Sequence, residues 1–410
     1  MLRRTATFWL FWGALGTLLY GYIGFPLLAA LRALLAPRPV ARDPAHRPSV
    51  ALIIAAHNEA KVIVQKLENT RALDYPRQLV ELIVASDGSD DGTVALAARH
   101  GGPELRLLDL PRQGKNRTLN AAVAATSGEI LVFSDADSML DAAALRWLVA
   151  PFADPAVGGV GGDYRYERGG GGDGERAYWS LDRALKLWQS RAGSMTSATG
   201  QLYALRRELF TPLPDGVTDD FFASVQAPLA HKRLLFEPRA VATGPVASTA
   251  RAEFRRKVRV STAGLRGVWL ARRGLNPRTH GLFALQLFSH KLLRRLNVLP
   301  LLTLSAVAPL LWRRGPLYRL TAAALWGLHG LGLLGFLLRD TRLGRAKLLS
   351  LPLFFELVNS AVLAALVGVA RGERQDSWVP ERMTTERLAR KTRALQPDGH
   401  AAAPSDKGEL

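Results

Sequence analysis

The sequence of 410 residues contains no cysteine. That excludes disulfides and thiolate metal sites and fits a reducing compartment. It contains no G-x-x-x-x-G-K-[ST] stretch and no G-x-G-x-x-G turn after its first strand-like run, so neither a P-loop nucleotidase nor a dinucleotide dehydrogenase is expected. Helix-turn-helix, zinc-ligand and RNA-stacking patterns are also missing, so the formal net charge of +19 is not read as nucleic-acid binding. Many of the arginines flank apolar runs, and attraction to anionic headgroups and to phosphate-bearing substrates accounts for the excess.

The apolar residues gather at the two ends. Residues 8–31, FWLFWGALGTLLYGYIGFPLLAAL, are uncharged and long enough to span a bilayer, with Trp9, Trp12, Tyr20 and Tyr22 suited to its interfaces. A signal peptide would have a shorter apolar core, about 7–15 residues, so an uncleaved anchor is expected. Arginines at 32, 38, 42 and 47 follow it, against Arg3 and Arg4 before it. The positive-inside rule then puts the middle of the chain in the cytoplasm and the amino terminus outside. Three more apolar runs, 296–312, 320–338 and 348–370, approach spanning length, the first interrupted by Pro300 and Pro309. Before them, THGLFALQLFSHKLLRRL places His290, Lys291, Arg294 and Arg295 among apolar positions at helical spacing, an amphipathic helix for the headgroup layer.

The expected organisation is an anchor and basic linker (1–47), a cytoplasmic α/β domain (48–260), amphipathic interface helices (261–295), carboxy-terminal transmembrane helices (296–370) and a polar tail (371–410). Such a chain is an integral protein of the cell membrane, in contact with lipid.

From residue 48 short apolar runs alternate with helical stretches. SVALIIAAHNE, QLVELIVASDGSDDGT, ELRLLDL and EILVFSDAD read as strands, the second leading into the helix TVALAARH with Ser89 or Asp90 at its cap. EAKVIVQKLENTRAL and KNRTLNAAVAATSG read as the intervening helices. This alternation implies an α/β fold with a mostly parallel sheet whose ligands sit at the carboxyl ends of the strands. His57, Asn58, Glu59, Asp87, Lys115, Asp135 and Asp137 all fall there. Asp135 and Asp137 are two residues apart, so on an extended backbone they share a face and repel unless a cation lies between them. The set suits a nucleotide diphosphate: carboxylates for ribose hydroxyls or base N–H groups, Lys115 beside Gly114 for phosphate, and the acidic pair for a bridging metal. The glycine run at 169–174 has no recognisable strand before it and reads as a flexible loop. TDDF, residues 218–221, taken alone reads as a helix start whose Asp219 and Asp220 complement the dipole.

In this order, AAHNE, SDGSDDGT, RQGKNRTLN, FSDAD, TGQLYALRRELF, TDDF and RRKVR resemble the inverting glycosyltransferases of family 2, with the GT-A fold. In particular they resemble the membrane-bound branch that includes cellulose, hyaluronan and poly-N-acetylglucosamine synthases. The resemblance implies a nucleotide diphosphate sugar as donor, UDP-linked first, and a glycan or lipid-linked acceptor. It also implies that Glu59 and Asp87 hold the nucleoside, that Lys115 assists the diphosphate, that Asp135 contacts the nucleotide and that Asp137 coordinates Mg²⁺ or Mn²⁺. Asp220 would be the general base, and Arg256 and Arg259 would lie near the leaving diphosphate or the acceptor. Where processive members carry Trp after the second arginine, this chain has Val260, which offers no flat face for a sugar. From another class, a catalytically silent nucleotide-sugar-binding partner in a polysaccharide export complex would be marked by loss of the base or the acidic pair, and both are present.

Overall fold

The computed structural model describes residues 2–166, 173–245, 250–344 and 346–373. Glycines 169–172 and the tail from 374 onward lie outside the described residues. The chain begins with α1 (Leu2–Leu19), which runs through a π-helical turn, Tyr20–Gly24, into α2 (Phe25–Leu35). Thr5–Leu35 is thus one apolar helix of 31 residues, long enough to cross a membrane.

The α/β body follows. β1 (Val50–Ala56) is buried along its whole length, as a central strand covered on both faces must be. It pairs in parallel with β2 (Val80–Asp87) on one side and β4 (Ile130–Asp135) on the other, and β3 (Leu105–Leu110) extends the sheet beyond β2. The crossovers are α3 (Ile63–Arg71), α4 (Thr93–His100) and α5 (Lys115–Ala124). Alternate side chains divide between two cores. Leu52, Ile54, Val84 and Val132 pack with Ile63 and Leu67 of α3. Ile53, Ile83 and Phe133 pack with Leu119 and Ala122 of α5. Gly92 holds the cap position of α4 without a side-chain cap, and Asp91 just before it accepts from Thr93 N at 3.0 Å, so neither Ser89 nor Asp90 caps the helix. Those two residues are engaged with Asn58 instead.

The second half of the sheet lies beyond the reach of the sequence pattern. It comprises β5 (Met139–Leu140), α6 (Ala144–Val149), β6 (Val157–Tyr166), α7 (Asp173–Ala192), β7 (Leu202–Arg206), α8 (Asp219–Leu229), β8 (Arg233–Gly244) and α9 (Ala250–Leu270). The strand order is β3-β2-β1-β4-β7-β6-β8-β5. β7 runs antiparallel between β4 and β6, so the sheet is mixed, with four of its seven pairings parallel. β6 begins VGGVGG, a composition that argues against a strand. Here it is required: a Cβ on Gly158 would meet Leu209 at 2.6 Å, and one on Gly161 would meet Met195 at 2.7 Å. The glycine run at 169–174 is therefore preceded by a strand, contrary to the expectation.

After α9 come α10 (Pro277–Gln286), a π-helical segment Leu287–Leu293, α11 (Arg294–Leu296), α12 (Val298–Leu310), α13 (Pro316–Leu337) and α14 (Lys347–Ala370). α13 and α14 are long and apolar enough to cross a membrane. α12 is not: its 13 residues fall short of the roughly 20 needed. Its Leu301, Leu304 and Ala308 pack on Phe11, Ala14 and Leu18 of α1. A span over 296–312 is thus corrected to a short apolar helix held against the first one. In the segment before it, Leu282, Leu285 and Phe288 are exposed while His290 is buried. The polar stripe faces inward, where His290 Nδ1 meets Thr196 Oγ1 at 3.0 Å and Lys291 donates to Ser197 Oγ. Burial lowers the His290 pKa to about 3 despite its bond to Asp182, so the ring is neutral.

Candidate active site

β4 ends at Asp135, so Asp137 lies in the turn beyond it and the pair is not on one extended backbone. Two lysines already stand at this turn. Lys115, the first residue of α5, places Nζ 2.8 Å from Asp135 Oδ1. Lys66, fully buried on α3, reaches up from beneath, donating to Ser134 Oγ at 2.7 Å and to the Ser138 carbonyl. Burial lowers the Lys66 pKa to about 7, against the opposing pull of Asp135 and Asp137. The charge of the acidic turn is therefore balanced in part by the protein itself.

Lys115 also joins this turn to the start of α8. Its Nζ is 3.4 Å from Asp219 Oδ2, and the Tyr203 hydroxyl donates to the same oxygen at 3.4 Å. Burial works against the Lys115 ammonium, but Asp135 and Asp219 outweigh it and hold its pKa above the ordinary lysine range. Burial raises the pKa of Asp219, with Lys115 pulling the other way. Asp220 is half-buried, and its Oδ1 accepts from Phe221 N at 2.8 Å. Gly200 leaves room beside it: a Cβ there would sit 3.7 Å from the Asp220 Cβ. Of the two acids at this helix start, Asp219 faces the lysine and Asp220 meets the helix dipole.

Asp87, at the end of β2, is wholly buried. Its Oδ1 accepts from Gln113 N at 2.7 Å and Gly114 N at 2.9 Å, and its Oδ2 pairs with Arg112. It shapes the loop that presents Lys115, where Gly114 has φ +93° and so needs a residue without Cβ. His57 Nδ1 donates to the Asp87 carbonyl at 2.8 Å, and burial together with Arg112 lowers its pKa. Glu59 is buried, its N–H bound to Thr93 Oγ1 at 2.8 Å. The turns after β1 and β2 are thereby locked together. Arg256 grips Glu253 through Nε at 2.7 Å and an Nη at 2.8 Å, while Arg259 sits half-buried one turn further along α9.

Among the described residues no group of three His, Asp or Glu side chains could hold a metal alone. Asp135, 28% exposed, and half-buried Asp137 offer hard oxygen ligands. That suits Mg²⁺ or Mn²⁺ completed by substrate phosphates, since such ions are commonly bound through one or two carboxylates.

Lys66, Asp219, Tyr203 and Arg112 were not anticipated as members of the site. Lys66 had a readable signal, since it shares the buried face of α3 with Ile63 and Leu67. Tyr203 and Arg112 lie inside TGQLYALRRELF and RQGKNRTLN, but nothing local pointed to their partners, Asp219 and Asp87, which come from other segments.

Residues 51–213 match the family model described as Glycosyl transferase family 2. Among curated proteins, the chain is similar to the poly-beta-1,6-N-acetyl-D-glucosamine synthase of Staphylococcus epidermidis. The two are 25% identical over 234 residues, which cover 54% of this chain and 56% of that protein. It is also similar to the synthase of the same name from Staphylococcus aureus (strain COL), at 26% over 225 residues, covering 52% and 54%. The chain thus matches about half the length of these curated relatives. Among solved structures it resembles a mannosyltransferase of Pyrobaculum calidifontis in complex with GDP-Man and Mn²⁺. The TM-score is 0.68 at 27% identity, covering 87% of this chain and 97% of that one.

Proposed function

We propose that this chain, a glycosyltransferase built on a glycosyl transferase family 2 domain, is anchored in a cell membrane and transfers a sugar with inversion. Its donor is a nucleotide diphosphate sugar and its acceptor a glycan or a lipid-linked molecule. The observation that carries this reading is the meeting of Lys115 with both Asp135 and Asp219. Their contact brings the acidic turn after β4 to the start of α8, where Asp220 lies.

Asp220 takes the proton of the acceptor hydroxyl as that oxygen attacks the anomeric carbon from the face opposite the leaving nucleotide. Lys115, at the amino end of α5, faces the donor's phosphates. Glu59 and Asp87 border the nucleoside, Glu59 from the first turn and Asp87 through the 112–114 loop that it holds. Arg256 and Arg259 stabilise charge on the diphosphate side or the acceptor side. Asp137, with Asp135, would hold Mg²⁺ or Mn²⁺ together with donor phosphates. When bound, such an ion offsets negative charge on the departing diphosphate. The likeness to a mannosyltransferase solved with GDP-Man and Mn²⁺ supports a nucleotide-sugar donor and a divalent ion.

Three helices of spanning length and the arginines after the first support a membrane anchor with the α/β body on the cytoplasmic side. The exposed apolar face at Leu282, Leu285 and Phe288 supports contact with lipid beside it.

A screen of purified full-length protein in detergent tests the reading. UDP-glucose, UDP-N-acetylglucosamine and GDP-mannose are each supplied with Mn²⁺, and nucleotide release and product mass are recorded. Tight nucleotide binding with no turnover of any donor would favour a silent binding partner instead.

A further inference from the structure

Where α2 leaves its apolar surroundings the protein forms a cleft of about 740 Å³ that is open to its surroundings, with Arg38 and Arg191 exposed at its mouth. Its walls are the 30–42 segment, the last turn of α7 and the first half of β8. Arg233 begins β8 opposite Val157 at the amino end of β6, level with the amino end of β4. The cavity flanks β8, which β7 and β6 separate from β4 and Asp135.

Five arginines line it, Arg38, Arg42, Arg191, Arg233 and Arg239, against one carboxylate, Glu237. Glu237 is already engaged by Arg42 at 2.9 Å and Arg239 at 2.7 Å, and Arg239 stacks 3.7 Å above Trp147. Arg233 donates to the carbonyls of Gly193, Arg38, Pro39 and Ser190. Among the described residues the guanidinium groups of Arg38 and Arg191 have no hydrogen-bond or ion-pair partner. Burial, and then the like charges of Arg38 and Arg42, lower the pKa of Arg233 against the pull of Asp154. The cavity is thus left with an unanswered positive field.

Its remaining wall is apolar, with Leu34, Leu187, Trp188 and Phe236. On α2, Leu27, Leu28, Leu31, Leu34 and Leu35 are exposed, as in a helix facing hydrocarbon to its end. Arg38 follows Leu35 by three residues, a reach of at most about 10 Å, which places it in the headgroup layer.

We propose that this cavity binds the headgroup of an anionic phospholipid. The phosphodiester lies between Arg38 and Arg191, whose planar forks match phosphate oxygens, and the glycerol and first acyl carbons lie along Leu34 and Trp188. A choline headgroup brings its own cation into the arginine field and is disfavoured. The inference rests on α2 standing in a bilayer but is independent of the catalytic roles given to Asp220 and Lys115.

The test uses the full chain in mixed micelles with equal phosphatidylglycerol and phosphatidylcholine of the same acyl chains, reading retained lipid by native mass spectrometry. One phosphatidylglycerol is retained per chain, with a preference of roughly tenfold over phosphatidylcholine. Arg38→Gln with Arg191→Gln brings the preference near parity. Arg313→Gln with Arg314→Gln, which removes equal charge from the turn before α13, leaves it intact. Added inorganic phosphate does not displace the lipid. Equal retention by the wild type, a preference surviving Arg38→Gln with Arg191→Gln, or displacement by phosphate as by phosphatidylglycerol would each overturn the proposal. The wild-type comparison decides it even if the double variant does not fold, and Arg191→Gln alone, at the exposed end of α7, is read the same way.

Discussion

Lys115 and Asp135 form the central ion pair of the site, Nζ to Oδ1 at 2.8 Å, with side chains 17% and 28% exposed. The same ammonium touches Asp219. Two acids from different elements therefore share one cation, and its removal leaves them facing each other.

Replacing Lys115 by Met is expected to weaken nucleotide binding by roughly tenfold or more and to cost roughly 1–3 kcal/mol of stability, because two part-buried carboxylates lose their partner. Calorimetric titration with UDP and GDP, beside thermal unfolding, checks both. Undiminished nucleotide affinity would remove Lys115 from the phosphate site.

Asp220→Asn is expected to lower turnover by roughly 10²–10⁴-fold, the usual contribution of a positioned base, with nucleotide affinity unchanged. The amide can still accept from Phe221 N, so the thermal midpoint should hold. Equal turnover in the variant would leave another group as base.

Chelation of divalent ions is expected to stop sugar transfer, and added Mn²⁺ or Mg²⁺ to restore it. Asp137→Asn should raise the Mn²⁺ concentration for half-maximal turnover by roughly tenfold or more, since few protein oxygens hold such an ion. A titration identical to wild type would exclude Asp137 as ligand.

Lys66 gives a pH signature. Its folded pKa of about 7 lies below the unfolded value of about 10.4, so across that interval the unfolded chain binds more protons than the folded one. Stability therefore rises with pH from about 7 to 10. Lys291, lowered to about 7 chiefly by burial and then by Arg295, acts in the same window. Lys66→Met should flatten part of the rise in thermal midpoint between pH 7 and 10, and an unaltered slope would show that Lys66 does not titrate there.

Local sequence revealed the first half of the sheet because β1, β4 and β2 after Glu81 are apolar runs that end in polar turns. β6 escaped it because its glycines serve close packing across the sheet, a requirement set by Leu209 and Met195 from elsewhere in the chain. In the site, Asp135 and Asp220 were legible by motif. The orientation of Asp219 toward Lys115 was not, since a helix-start acid reads the same whether it faces the dipole or a distant cation.

By itself the sequence determined the apolar ends, the alternation of strands and helices, and the placement of acids and a lysine at strand ends, because hydrophobic periodicity and turn chemistry are local. Only the tertiary structure decided which carboxylate meets which cation, that β7 runs antiparallel between β4 and β6, and that arginines from three segments line one open cleft. Those outcomes depend on strand order and on packing between residues far apart in the chain, which no local pattern encodes.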